Sequence, residues 1–88
     1  MWKIEWSKEA QKQLEKLDPQ IKKKILKYLR ETLKEWSDPR QRAEKLVEDK
    51  AGWWRFRVGD YRLIFEIEDH ILIILIIKVG HRKEIYED

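Results

Sequence analysis

The side chains able to do chemistry in this 88-residue chain gather in two C-terminal stretches. The first runs Trp53-Trp54-Arg55-Phe56-Arg57-Val58-Gly59-Asp60-Tyr61-Arg62, and the second runs Val79-Gly80-His81-Arg82-Lys83-Glu84-Ile85-Tyr86. Alternation along a strand puts Trp53, Arg55 and Arg57 on one side and Trp54, Phe56 and Val58 on the other. A second strand starting at Tyr61 sends Arg62, Ile64 and Glu66 to the side opposite Tyr61, Leu63, Phe65 and Ile67. Pairing these strands across a tight Gly59-Asp60 turn brings Arg55, Arg57 and Arg62 together. Guanidiniums so placed repel one another unless anions neutralise them, and a phosphate backbone would do so. From alternation alone, ion pairs with Asp60, Glu66, Glu68 or the tail residues Glu84, Glu87 and Asp88 account for the arginines equally well.

Arginine does not give up its proton at neutral pH, so Arg55, Arg57 and Arg62 can hold charge but not act as bases. His81 is the nearby side chain of a type that titrates near neutrality, and Arg82 stands next to it. Trp53 falls on the arginine side, where it can stack on a base or pack under the preceding connection. His70 reads as a turn residue, because no second histidine or carboxylate pair at metal-ligand spacing accompanies it. With no cysteine, disulfides and thiolate metal sites are excluded, and a reducing cytoplasm is the simplest compartment.

The elements that must position these residues follow from periodicity. Trp2, Ile4 and Trp6 alternate with charged residues as in a half-buried strand. Ser7 caps a helix carrying Ala10, Leu14 and Leu17, and Asp18-Pro19 starts a second helix. Its apolar stripe is Ile21, Ile25, Tyr28, Leu29, Thr32, Leu33 and Trp36, ending at Ser37-Asp38-Pro39. Residues 37–52 form a long connection with a short helical turn, whose Arg40, Arg42, Lys45 and Lys50 either line a path to the site or are solvated. Strands follow at 53–58, 61–68 and 71–79. The order β-α-α-β-β-β describes one α+β domain over residues 1–88, with a two-helix hairpin on a small, mainly antiparallel sheet.

The run from Ile71 to Ile77 predicts a central strand buried on both faces, one of them covered by the segment after Arg82 or by a partner protein. It is far too short to cross a bilayer, and the N-terminus alternates rather than forming a secretory signal. The net charge of +3 is mild, so local placement of charge rather than total charge must identify any anionic partner.

Taken together, the Lys45-Leu46 element before Gly52, the Arg-Val-Gly-Asp-Tyr-Arg segment and the terminal His-Arg-x-x-x-Tyr segment resemble the RelE/ParE superfamily of toxins over nearly the whole chain. The resemblance implies a type II toxin that cuts messenger RNA in the ribosomal A site and is neutralised by a RelB-like antitoxin, in the cytoplasm. In such enzymes the 2'-hydroxyl attacks the adjacent phosphate, which implies no metal and no cofactor. Carried over by motif, Arg55, Arg57 and Arg62 hold phosphate, His81 and Arg82 form the terminal basic element, and Tyr86 stacks on a base. Lys45, Lys50 and Trp53 extend the RNA-binding surface. The best-known RelE pattern has lysines in the strand pair, whereas arginines stand here; this moves proton transfer to His81, as acid or base, with Arg82 assisting. The ParE branch acts on DNA gyrase, and a catalytically weak antitoxin-binding homologue is the remaining alternative.

Overall fold

The computed structural model describes residues 2–35, 38–47 and 52–85. Strand β1 (Lys3–Trp6) leads into helix α1 (Lys8–Glu15) through Ser7, whose hydroxyl accepts the Ala10 N–H at 3.0 Å. The same hydroxyl donates to the Ile77 carbonyl at 3.0 Å, so one side chain caps the helix and ties it to the far end of the chain. Helix α2 (Pro19–Glu35) starts where Asp18 Oδ1 accepts the Gln20 N–H at 2.8 Å, with Pro19 supplying the preset first helical φ. Of the expected stop at Ser37-Asp38-Pro39, Ser37 lies outside the described residues, while Asp38 and Pro39 open the turn that follows.

The connection after α2 holds a 3-10 turn (Pro39–Arg42) capped by Asp38 and a two-residue strand, β2 (Glu44–Lys45). The helical turn matches expectation, but β2 does not: two polar residues carry no periodicity to announce a strand. Strands β3 (Trp53–Val58) and β4 (Tyr61–Glu68) follow, joined at Gly59, whose φ of +60° is left-handed. A further 3-10 turn (Asp69–Ile71) precedes β5 (Ile73–His81). The sheet has five strands in the order β1-β5-β4-β3-β2, with β1 parallel to β5 and the other pairs antiparallel.

Both helices pack on one face of this mixed sheet, α1 against β5 and β1 and α2 against β3. Ala10, Leu14, Ile25 and Leu29 meet Phe56, Leu63, Phe65, Ile74 and Ile76 in the core between the layers. Phe56 and Phe65 stack with centroids 4.3 Å apart, and Tyr28 closes edge-on over Phe56. Among the described residues no helix is long and apolar enough to cross a membrane.

Strand β5 departs from the expected 71–79 in three ways. It starts later, because the Asp69–Ile71 turn and a left-handed Leu72 (φ 53°) reverse the chain and leave Ile71 and Leu72 exposed. It lies between β1 and β4, and β4 is the central strand. It is not buried on both faces: Ile74 and Ile76 are fully buried, while Ile73, Leu75 and Ile77 are only half-buried.

The register also slips within β5. Phe65 pairs with Ile76 but Ile64 pairs with Lys78, so Ile77 is an extra residue in a bulge. A bulge inverts the face parity of everything beyond it. Ile74 and Ile76 face the helices before it; Val79, 2% exposed, takes the core side after it.

Candidate functional site

Strands β3 and β4 present their arginines on the face away from the helices, as alternation requires. Arg57 and Arg62 stand opposite each other in register, an arrangement that costs energy unless both charges are compensated. Arg62 is 4% exposed, and its Nη1 donates to the carbonyl oxygens of Gly59 at 2.9 Å and Tyr61 at 3.0 Å. The turn that pairs the strands thus also holds the guanidinium.

Arg57 is compensated from the unexpected strand. β2 pairs with β3 so that Glu44 stands against Arg55, and the Glu44 carboxylate receives the Arg57 Nε–H at 2.5 Å and lies 3.5 Å from Arg55 Nε. Burial works to raise the Glu44 carboxyl, but the Arg57 hydrogen bond and the charges of Arg55 and Arg57 together outweigh it and lower its pKa. Among the described residues, the carboxylate that Arg57 is bonded to is therefore that of Glu44, while Glu66 is taken by the Trp53 Nε1–H.

The C-terminal turn completes the site. The Arg82 N–H donates to the Asp60 carbonyl at 2.8 Å, and Arg82 Nε lies 3.8 Å from Asp60 Oδ1, which joins this turn to the one between β3 and β4. The N–H groups of Glu84 and Ile85 both donate to the His81 carbonyl, folding the chain back over the sheet. Gly80, paired with Arg62, leaves room for this: a Cβ there would come within 3.1 Å of the Ile85 side chain. Arg57, Arg62, Arg82, Lys83 and Ile85 then line one open cleft of about 470 Å³. Three guanidiniums and an ammonium, with Glu44 and Asp60 at the rim, make a cleft suited to a phosphate diester.

The other expected site residues fall elsewhere. Arg55 is 6% exposed and lies beneath Glu44 rather than on the cleft wall. Trp53 stands at the far end of β3, where its Nε1–H donates to Glu66 at 3.0 Å. Lys45 is exposed on β2 and does not reach the cleft. Arg40 is held by Asp38 and by both oxygens of Asp69 and lies over the Trp54 ring, while Arg42 lies over Tyr28. The Asp69 hydrogen bond, against an opposing effect of burial, raises the Arg40 pKa. Arg40 ties the connection to the β4–β5 turn instead of lining a substrate path. Tyr86 and Lys50 lie outside the described residues.

His81 does not enter the arginine cleft. The bulge turns it to the helix side, where it pairs with Tyr61 and meets that ring edge-on at 5.4 Å. There it borders a separate cavity of about 340 Å³ with Ile21, Lys24 and Asp60. Its Nδ1 accepts the Lys83 N–H at 3.1 Å. Sequence reasoning missed Glu44, which no pattern announced, and Lys83, whose place beside Arg82 was the available signal. Among the described residues no group of three or more histidines, aspartates or glutamates is gathered as a metal site.

Residues 4–86 match the model of a family described as the ParE toxin of type II toxin-antitoxin system, parDE. Toxin RelG from Mycobacterium tuberculosis is 29% identical over 83 residues, 94% of this chain and 93% of its own length. The crystal structure of the toxin-antitoxin complex RelBE2 from Mycobacterium tuberculosis contains a chain with a TM-score of 0.82 at 27% identity, covering 92% of this chain and 98% of that one. A chain of the archaeal RelE-RelB complex from Pyrococcus horikoshii OT3 gives 0.71 at 26% identity, covering 96% and 98%.

Proposed function

From the premise that this chain belongs to the ParE toxin family of type II toxin–antitoxin systems, within the RelE/ParE superfamily, we propose that it is a toxin that cuts messenger RNA. The observation that carries this reading is the convergence of Arg57, Arg62, Arg82 and Lys83 on one open cleft. The reaction is attack of the RNA 2'-hydroxyl on its own 3'-phosphate. The new O2'–P bond forms as the P–O5' bond breaks, leaving a cyclic phosphate and a free 5'-hydroxyl. The nucleophile comes from the substrate, so neither a metal-activated water nor a cofactor is needed.

Arg57, Arg62 and Arg82 hold the phosphate and stabilise the added negative charge of the pentavalent state. Glu44, kept ionised by its arginine neighbours and bonded to Arg57 of the cleft wall, takes the 2'-hydroxyl proton. Lys83 supplies a proton to the departing 5'-oxygen. Arg55 acts indirectly, by fixing Glu44, and Tyr86 stacks on a neighbouring base.

The target is message in the ribosomal A site in the cytoplasm, and a RelB-like antitoxin is the partner that neutralises the toxin. The antitoxin is supported by the RelBE2 and RelE-RelB complexes, and acidic residues on it would complement the cleft. Primer extension on a message in cell-free translation tests the activity. Wild type cuts, Arg82→Ala cuts far less, and addition of a metal chelator changes neither, whereas uncut message with wild type overturns the reading. The description of the matching family as ParE favours one other reading: inhibition of gyrase supercoiling without RNA cleavage would put a gyrase-directed toxin in its place.

A further inference from the structure

His81 is left without a catalytic place, yet it makes a specific contact. Its ring stands edge-on to Tyr61 on the helix side of the sheet, and its Nδ1 accepts the backbone N–H of Lys83 at 3.1 Å. The residues between and beside these two atoms, Arg82 and Lys83, are the ones that the turn delivers to the other side of the sheet. The ring is thus anchored on one face while the backbone it grips serves the opposite one.

We propose that His81 is a positioning residue: its Nδ1 accepts the Lys83 N–H and so sets the turn that presents Arg82 and Lys83 to a phosphate in the cleft. The contact itself is independent of the nuclease reading; its functional consequence rests on that reading. The contact also needs a neutral ring, because an imidazolium carries hydrogen on both nitrogens and has no lone pair to offer. Lys24 of α2 and Asp60 of the β3–β4 turn are the charged residues that line the cavity beside the ring, and Tyr61 of β4 meets it edge-on. Loss of the contact leaves the Glu84 and Ile85 hydrogen bonds to the His81 carbonyl in place, so the turn loosens rather than unfolds.

Two variants separate positioning from proton transfer. His81→Asn keeps an acceptor close to the Nδ1 position without the titration, whereas His81→Gln carries its oxygen towards the Nε2 position. In nitrogen-15 spectra of the full chain, the Lys83 amide of wild type should shift and lose exchange protection as pH falls from about 8 to about 5. In His81→Asn it should do neither. Message cleavage at neutral pH should be near wild type in His81→Asn and roughly twofold to tenfold lower in His81→Gln, the effect of one neutral hydrogen bond. A Lys83 amide indifferent to pH in wild type, or His81→Asn as impaired as His81→Gln, overturns the proposal. Should wild type cut no message, the nuclease reading fails, while the Lys83 amide still decides this one.

Discussion

Arg57 and Arg62 face each other across β3 and β4, and each is held by a different kind of partner: Arg57 by the carboxylate of Glu44, Arg62 by the carbonyl oxygens of Gly59 and Tyr61. The two carbonyl oxygens fix the direction of the Arg62 guanidinium through its Nη1.

The planar fork of Arg62 is what allows a bond to two carbonyls from one nitrogen while the rest of the group faces the cleft. Arg62→Lys keeps the charge but not this geometry. Cleavage should drop by about 10² to 10³, the usual effect of removing one preorganised donor to a charged transition state. Urea denaturation should show a loss of about 1–3 kcal/mol for carbonyls left unsatisfied. Wild-type cleavage by Arg62→Lys would show that charge alone matters.

Glu44 links pH to both activity and stability. Its folded pKa is lowered, so the stabilisation from its ion pairs is full above the unfolded carboxylate pKa and is lost as pH falls through the lower folded value. The acid limb of cleavage should accordingly lie below the ordinary carboxylate range. Glu44→Gln should remove that limb, reduce cleavage by about 10² to 10⁴ as for loss of a general base, and flatten the acid side of the stability profile. An unchanged pH–rate curve in Glu44→Gln would remove Glu44 from proton transfer.

Gly80 is needed for space rather than for backbone freedom. A methyl group there meets Ile85 at 3.1 Å, a contact that the end of a flexible side chain relieves by moving. Gly80→Ala should change thermal stability by less than about 1 kcal/mol, because alanine suits a strand interior better than glycine and offsets the crowding. Cleavage should nevertheless fall, since Ile85 shares the cleft wall with Arg82 and Lys83. Full activity with Ile85 displaced, seen by nuclear Overhauser contacts, would separate the C-terminal turn from the chemistry.

The helix starts at Ser7 and at Asp18-Pro19, the hairpin at Gly59-Asp60 and the common side of Arg57 and Arg62 were all legible in the sequence. Each is set by local physics: a cap, a proline φ, a left-handed glycine, or a polar–apolar alternation that permits one face only. Even the crowding of arginines called for an anionic counterweight before any partner was visible.

Three things depended on contacts between distant segments. Glu44 reaches Arg57 because a two-residue strand adds to the edge of β3, and strand addition needs only backbone groups. The parallel placement of β1 beside β5 joins the two ends of the chain, a pairing that no local pattern specifies. His81 changes face because Ile77 is bulged, in a run from Ile71 to Ile77 that contains no polar residue to mark the phase. Alternation encodes a face only where side chains differ. In that run they do not, so the sheet register alone decided that the histidine stands behind the cleft that the arginines line.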